Sequence, residues 1–455
     1  MNAATMIRRT FGHAGLAVRG ALILHALCGA APAAAQGATA VSITLAEAQA
    51  RAVEASHRLA EARARQAAAD GAVAVRVAAD QPLLTASAGY TRTNHVTEFT
   101  VPSATGVPRV LYPDIPNNAR TRIDLQWPIY TGGRTDALER SARAEASAAA
   151  ADVAAARGDL RLEVARAFWS LVTARATVTV LEQAVARAQA HLADVRQRLT
   201  VGLIPPNDVA SSEAQESRQR MLRIEARNQR DMSSAELARL IGGDLSGPAL
   251  EPAAVLESEA PFPQVASALV VQAQASRNER KAIEHRILAA GEQQVAARAG
   301  ARPLVALVSG LDYARPNPRI FPRAGAWQES WDLGVQVSWA VWDWGRVRAE
   351  TAQAESLTTA ARQRLEEFDS QLALEIRQRQ LEIDSGRAAI VAAQDGVRAA
   401  TEAQRVVAER YKAGVATQTE VLDADSALLQ AELDRTRAMA GVRFSEARLD
   451  RALGQ

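Results

Sequence analysis

Two short stretches, RLTVGLIPPNDV at residues 198–209 and RYKAGVATQTEV at residues 410–421, have the same outline. Each begins with an arginine, places a glycine four residues later (Gly202 and Gly414), and ends in an acidic residue followed by valine. The second stretch lies 212 residues after the first (198 to 410). The chain therefore contains the same corner twice, at a fixed distance.

The offset of 212 extends well beyond the corners. It aligns, without a gap, Trp127 with Trp339, Gly133 with Gly345, and Gly242 with Gly454. Upstream the best offset is 221, which pairs Pro82 with Pro303, so the first copy has nine extra residues (221 minus 212). A duplication of this length indicates two fused half-structures rather than a solenoid. We predict a signal peptide (1–35), a first repeat (36–242), a linker (243–263) and a second repeat (264–455).

Each copy has the same order of predicted elements. In the first copy, Thr44 and Glu47 form a capping-box pattern that opens an alanine-rich helix running to about Asp80. Pro82 ends the helix, and the apolar period then changes from a helical one to two. The stretch 83–90 follows Pro82. Two later stretches of about ten residues, 121–130 and 331–342, show the strand period most clearly and are long enough to cross a bilayer when tilted.

A very long helix follows the strands. From Arg134 the helical period continues without proline to Leu199, which predicts a rod of roughly 99 Å. Its apolar seam has coiled-coil spacing: Leu181, Val185, Ala188, Leu192, Val195 and Leu199. A return helix of about 35 residues is predicted from Asn207 to Ile241. Each corner is therefore expected at the far end of a helical hairpin, remote from the strands.

The N-terminus and the charge balance limit the class of protein. Residues 1–35 combine early arginines, a short apolar run and Ala33-Ala34-Ala35, the pattern of a secretory signal peptide. Cleavage there removes Cys28, the only cysteine, and acylation of Cys28 is the minority interpretation. A net charge of +2 is too small for nucleic-acid binding. No later segment has 18 to 20 continuous apolar residues, so membrane insertion would have to use strands.

Four strands in one chain leave an open sheet edge, which is costly in lipid. Closure by three chains gives twelve strands, an even number that suits an outer-membrane barrel. The predicted fold is mainly α, with long coiled helical hairpins, an internal duplication and four strands per chain in a trimeric 12-stranded β-barrel. Most tryptophans lie in or beside the strands, as an interfacial girdle requires: 127, 327, 331, 339, 342 and 344. A soluble β-sandwich patch is the alternative.

The chain resembles the TolC-like outer-membrane efflux protein family. The resemblance rests on the ITLAEA opening (43–48), the WPIYTGGR and WAVWDWGR strand-to-helix junctions, and the paired corners. It implies a homotrimer in the outer-membrane lipid of a Gram-negative bacterium, continued by a helical barrel across the periplasm. It also implies a periplasmic adaptor (membrane fusion) protein and an inner-membrane pump of the RND, ABC or MFS type as partners, in drug efflux or type I secretion. No cofactor is expected.

Three groups of candidate residues follow from position and resemblance. The resemblance implies a periplasmic gate formed by acids and a tyrosine of the corners: Glu420, Asp423, Asp208 and Tyr411. The corners themselves would contact the adaptor: Gly202, Leu203, Gly414 and Val415. Aromatic residues at the strand ends would lie at the membrane interface: Trp127, Tyr130, Trp339 and Trp342. Ala416 stands where some family members have an arginine in the closing network.

Three of the four gate residues also have a structural interpretation. Thr417 and Glu420 form a capping-box pattern, and an acid in a first helical turn is favoured by the helix dipole. Asp208 occupies the same kind of position after Pro205 and Pro206. Tyr411 falls on the heptad seam and could pack there. Both interpretations stay open from sequence alone.

Catalysis finds no support in the sequence. The four histidines beyond the signal peptide are isolated, and no metalloprotease, nucleophile-elbow or phosphate-loop motif is present. Two non-enzymatic alternatives remain. A periplasmic adaptor-like coiled-coil protein has a long hairpin but needs no doubled chain with membrane-length strands, and a soluble coiled coil needs no strands.

Overall fold

The computed structural model of the protein describes residues 41–104, 106–245, 250–256 and 266–455. The predicted signal peptide, Cys28 and part of the predicted linker lie outside these residues. In chain order the described elements are β1 (Val41–Ile43), α1 (Leu45–Ala55), α2 (His57–Ala78), β2 (Leu83–Arg92), β3 (Phe99–Val101), β4 (Arg109–Tyr112), β5 (Asn117–Tyr130), α3 (Arg134–Thr200) and α4 (Pro206–Leu240). The remaining elements are β6 (Leu250–Pro252), α5 (Ala266–Ser276), α6 (Asn278–Ala299), β7 (Leu304–Arg315), β8 (Gln328–Ser338), α7 (Arg346–Lys412) and α8 (Gln418–Ala452).

The four long strands form one antiparallel sheet in the order β2-β5-β7-β8. Strands β2 and β5 come from the first repeat, β7 and β8 from the second, and the two repeats meet where β5 pairs with β7. In that pair Ile123 lies opposite Leu311, and Leu311 lies opposite Trp331 of β8. The sheet confirms the predicted four strands. It also leaves β2 and β8 as the two edges.

Two smaller pairings were not anticipated. Strands β3 and β4 form a short hairpin within the predicted loop between β2 and β5. Strands β1 and β6 pair in parallel, with Val41 opposite Leu250, and so bring the start of the first repeat beside the chain that leaves it. Both pairs are only three or four residues long, too short for a period of two to stand out in the sequence.

The helices form a single layer of neighbours. The first half of α3 lies between α2 and α6, with ion pairs from Arg58 to Glu163 and from Arg286 to Asp152. Its second half lies between α4 and α8, as the pair Arg187–Glu432 illustrates. Helix α7 packs against α6 and α8. The order across the layer is therefore α2, α3, α6, α7 near the sheet, and α4, α3, α8, α7 farther away.

The long helices have the predicted length. Helices α3 and α7 each contain 67 residues, and the predicted heptad seam of α3 is buried except at Leu199, which is half-buried. Among the described residues, α3 is also the one helix long and apolar enough to cross a membrane by length and composition. Of the most apolar 18-residue stretch of α3, 56% is buried inside the protein. Packing within the helical layer accounts for that apolar composition.

The prediction of one continuous opening helix from Thr44 to about Asp80 was wrong. The helix breaks at Ser56, whose backbone is extended and whose hydroxyl accepts a hydrogen bond from the Leu59 amide at 3.2 Å. The break also coincides with a tertiary contact: Gly242, at the end of α4, packs so closely on Ala55 that an added Cβ would lie 2.5 Å from the Ala55 Cβ. The second repeat breaks in the same way at Arg277, beside Gly454.

A charge cluster centred on the buried Arg451 joins the end of α8 to three other helices. The Arg451 side chain, 7% exposed, donates to Asp159 of α3 at 2.9 and 2.7 Å and also to Glu279 of α6. Arg277 contacts the other Glu279 oxygen at 3.1 Å and approaches Glu375 of α7 at 3.5 Å. The cluster therefore ties the second repeat to α3 of the first.

Candidate functional site

The two corners have the same backbone geometry. Gly202 and Gly414 both have a φ of 75°, and the amides that follow them, of Leu203 and Val415, donate to carbonyl oxygens five residues back at 3.0 and 2.9 Å. This is the glycine-ended helix terminus in which a left-handed residue closes the last turn. A Cβ added at either glycine would have no atom within 4 Å. The left-handed backbone, rather than crowding, therefore requires glycine there.

The corners expose apolar side chains. Leu203 is 72% exposed, Val415 is 64% exposed, and Val201 beside the first corner is 65% exposed. Each corner ends a hairpin of two long helices, and polar side chains would be expected at such a position if it met only water. Exposed apolar residues at both tips are instead typical of a contact surface.

The helices that leave the two corners begin differently. At the second corner the predicted capping box is present: the Glu420 amide donates to the Thr417 hydroxyl at 3.3 Å, and the Thr417 amide donates to the Glu420 carboxylate at 3.0 Å. At the first corner α4 starts at Pro206 without a side-chain cap, and Asp208 lies in its first turn. Glu420 therefore has a structural role, while its side chain and that of Asp423 remain exposed.

Tyr411 lies in the seam between the two hairpins rather than at the surface. Its side chain is 8% exposed, and the Arg198 guanidinium lies 4.6 Å from the ring centre and donates to the Tyr411 carbonyl oxygen at 3.1 Å. The Tyr411 hydroxyl has no hydrogen-bond partner within the described residues. Burial raises the pKa of this hydroxyl, nearby Arg198 lowers it, and Asp208 raises it further. The structure thus brings Tyr411 near Asp208 without a hydrogen bond between them.

A second polar contact in this seam was missed from the sequence. The Gln418 side chain is 6% exposed, and its amide donates to the Ser212 hydroxyl at 2.5 Å and lies 2.9 Å from Nε2 of His191. The three residues come from α8, α4 and α3, so the contact joins both hairpins. One signal was available: His191 and Arg198 are seven residues apart and share a helix face beside the apolar seam.

The predicted interface aromatics lie together at the end of the sheet that joins the helices. Trp127 and Tyr130 are among the last four residues of β5 and are 42% and 46% exposed. The prediction of a strand through residue 342 was wrong, because β8 ends at Ser338. Trp339 follows the strand and donates from its indole nitrogen to the Ala301 carbonyl at 3.0 Å. Trp342, 77% exposed, lies edge-on to Trp344.

One of the two faces of the four-stranded sheet is charged. Arg122 of β5 donates to Asp124 at 2.6 Å, to Asp312 of β7, and to Asp332 of β8 at 3.4 Å. Asp312 is 1% exposed. Gly310 makes this crossing possible, because a Cβ at that position would overlap the Arg122 guanidinium. One face of the sheet is therefore apolar and exposed, and the other carries paired charges.

This combination of an amphipathic sheet, 67-residue helices and doubled corners agrees with a match of the sequence to a protein-family model. The model describes an outer membrane efflux protein, and it matches residues 48–243 and 269–455. The chain belongs to the outer membrane efflux protein family. This efflux protein is a channel of the Gram-negative outer membrane that extends into the periplasm. A sequence search among curated proteins gave no significant match.

Solved structures support the fold of the efflux protein. The outer membrane protein VceC from Vibrio cholerae is 21% identical, with a TM-score of 0.73 over 90% of this chain and 96% of that one. The Campylobacter jejuni CmeC outer membrane channel is 16% identical, with a TM-score of 0.75 over 90% and 85% of the two chains. The open state of the Neisseria gonorrhoeae MtrE channel is 19% identical, with a TM-score of 0.72 over 90% and 88%.

Ion selectivity tests the roles of Glu420 and Asp423 in the efflux protein. If these exposed acids line a narrow pore, six of them converge in a trimer, and Glu420→Gln with Asp423→Asn reduces cation selectivity and block by multivalent cations in single-channel recordings. Glutamine still accepts the capping hydrogen bond, so the stability of the assembly changes little. Glu420→Ala serves as the control because it removes the cap. Unchanged selectivity in the double variant would leave both acids with structural roles alone.

Proposed function

We propose that three copies of this chain close into one channel, a 12-stranded β-barrel continued by a helical barrel, that forms the exit duct of a tripartite efflux pump or type I secretion system. One observation carries the proposal. The sheet and the helical layer are open at the same two edges: β2 with α2 and α4 on one side, β8 with α7 on the other. One neighbouring copy on each side would pair the open edges of the sheet and cover the open sides of the helical layer.

Both open edges of the helical layer expose large apolar side chains. Helices α3 and α7 have the same length, yet α3 buries twenty side chains and α7 only six of those described. Apolar side chains of α7 are left 40% to 59% exposed: Leu357, Leu374, Leu381, Val391 and Val406. The other edge has its own exposed apolar residues on α4: Met221, Leu222, Ile224 and Met232. Burying such surfaces against each other favours association of copies.

The internal repeat predicts the register between copies. Within the chain, β5 pairs with β7, and Ile123 lies opposite Leu311. An offset of 212 converts β5 into β8, and an offset of 221 converts β7 into β2, so the corresponding pair between copies is Val335 and Tyr90. Directly opposed residues of antiparallel strands are close enough for a disulfide bond.

Cysteine crosslinking tests closure directly. In a Cys28→Ala background, Val335→Cys with Tyr90→Cys is expected to give covalent trimers on oxidation of isolated outer membranes, detected on a non-reducing gel. Val335→Cys with Gly89→Cys is the matched control, because a shift of one residue places the two side chains on opposite faces of the sheet. Monomers from the first pair, or equal crosslinking of both pairs, would contradict the proposed barrel.

The corners complete the proposed duct. They lie at the hairpin ends farthest from the sheet and expose Leu203 and Val415, which supports contact with the hairpins of a periplasmic adaptor. Channels of this family are oligomeric and work with efflux pump partners. In this proposal the predicted segments keep their boundaries: a signal peptide (1–35), two repeats (36–242 and 264–455) and a linker (243–263). Cargo is selected by the inner-membrane pump.

A further inference from the structure

The junction between β8 and α7 contains a strained tryptophan. Trp344 has a φ of 55°, and it is the one residue other than glycine with a positive φ in the described ranges. A bulky residue rarely adopts this backbone conformation, because its Cβ crowds the backbone. The Trp344 side chain is also 90% exposed, and its ring meets only the edge of Trp342, which is itself 77% exposed, so packing inside the chain does little to hold it there.

The first repeat has glycine at the same position. Gly132, 212 residues earlier, has a φ of 67°, and the next residues, Gly133 and Gly345, have φ values of 83° and 80°. The strand-to-helix junction therefore requires a left-handed residue in both repeats. Only the second repeat places a large side chain on it.

Gly132 lies at the seam between the two repeats. It packs against the end of α6, where a Cβ at Gly132 would lie 2.8 Å from the Cβ of Arg302 and 3.1 Å from the Ala299 carbonyl oxygen. Arg302 donates to the Gly132 carbonyl at 2.8 Å. Within the chain, this seam has no room for a side chain.

The end of α2 has the same backbone as the end of α6. The Gln81 amide donates to the Ala78 carbonyl at 3.1 Å, as the Arg302 amide donates to the Ala299 carbonyl at 3.0 Å, and the residues correspond at the offset of 221. Helices α2 and α7 lie at opposite edges of the layer. Closure of the ring therefore places the end of α2 of one copy opposite Trp344 of the next.

We propose that Trp344 is a wedge between neighbouring copies, with its indole ring packed on Ala78 and Gln81 of the next copy. This inference rests on the proposed trimer and adds a contact to it. Because a Cβ does not fit at the spacing found inside the chain, the seam between copies is wider at this level than the seam between repeats. At this level the closed trimer therefore has threefold rather than sixfold symmetry.

Replacing Trp344 with glycine, the residue at the equivalent position of the first repeat, tests the proposed wedge. Trp344→Gly removes an aromatic contact and is expected to make detergent-solubilised trimers dissociate roughly tenfold faster on heating. If Trp344 makes no contact with the next copy, the opposite result is expected: glycine relieves the left-handed strain, and the trimer becomes equally or more resistant to dissociation on heating. Trp127→Val is the control: Trp127 is 42% exposed on β5, whose two neighbouring strands both belong to the same chain, and its loss should leave dissociation unchanged.

Disulfide crosslinking tests whether residue 344 lies beside residue 81 of the next copy. In the Cys28→Ala background, Trp344→Cys with Gln81→Cys is expected to form covalent links between copies. If the Val335–Tyr90 pair crosslinks while the 344–81 pair does not, the trimer stands and the wedge is refuted. Quenching of a fluorescent label on Trp344→Cys by brominated phospholipid would identify residue 344 as a membrane anchor and would also refute the wedge. Failure of both cysteine pairs would refute the proposed trimer itself.

Discussion

Replacing Arg451 with alanine is expected to destabilise the protein by about 1.5–3 kcal/mol, because hydrogen bonds to charged groups are lost while the Asp159 side chain, 60% exposed, returns to water. Arg451 is almost fully buried and holds two carboxylates, those of Asp159 and Glu279. Its loss leaves Glu279 with only Arg277 for compensation. Gly158 adds to the constraint, since an added Cβ would lie 3.1 Å from Nε of Arg451, so the site is built around this side chain.

The internal repeat supplies a matched control for this prediction. Arg239 corresponds to Arg451 at the offset of 212, but its side chain is 55% exposed and pairs with Glu236 at 2.7 Å. Arg239→Ala is expected to cost about 1 kcal/mol or less, as for an exposed ion pair. Thermal unfolding of the purified protein, followed by circular dichroism, compares the two variants. Equal effects would contradict the role assigned to the charge cluster centred on Arg451.

The same cluster predicts a dependence on pH. Burial opposes ionisation of Glu279, but the hydrogen bond from Arg451 and the charge of Arg277 outweigh it, so the pKa of Glu279 lies below its ordinary value of 4.5. The stabilisation from this carboxylate is therefore present above pH 4.5 and is lost as the pH falls through the lower folded-state pKa. Arg451→Ala should weaken this acid dependence, and adding Glu279→Gln should recover part of the lost stability.

Bulky substitutions at both corners, Gly202→Trp with Gly414→Trp, are expected to abolish export while the channel remains in the outer membrane. The left-handed backbone costs a side chain only about 1–2 kcal/mol at each position, and a Cβ meets no neighbour there. The indole rings would, however, project from the surface that we assign to the adaptor. Accumulation of a fluorescent dye exported by the cognate pump should rise to the level of cells without the channel.

Asparagine provides the conservative comparison at the corners. Gly202→Asn and Gly414→Asn place a small polar side chain on the same left-handed backbone, which asparagine tolerates better than most residues. These variants should export the dye nearly as well as the unmodified channel. Normal export by the tryptophan variants, at equal amounts of trimer in the membrane, would remove the corners from the adaptor interface.

The sequence by itself determined the order and length of the main elements. Helix length, strand period and corner position depend on contacts within a few residues, and these leave a local pattern. Thr417 and Glu420, for example, are three residues apart, and the capping box predicted from them is present. Gly202 and Gly414 likewise indicated corners because a left-handed helix end favours glycine.

Tertiary structure alone decided which distant residues meet. The helix breaks at Ser56 and Arg277 contain no proline or glycine, and at each break a glycine from the end of another helix packs on the preceding residue, Gly242 on Ala55 and Gly454 on Ser276. Arg451 and Arg239 occupy equivalent positions in the two repeats, yet one is buried and the other is exposed. Periodicity specifies which face of an element is apolar, whereas the partner of that face depends on how elements more than a hundred residues apart are arranged in space.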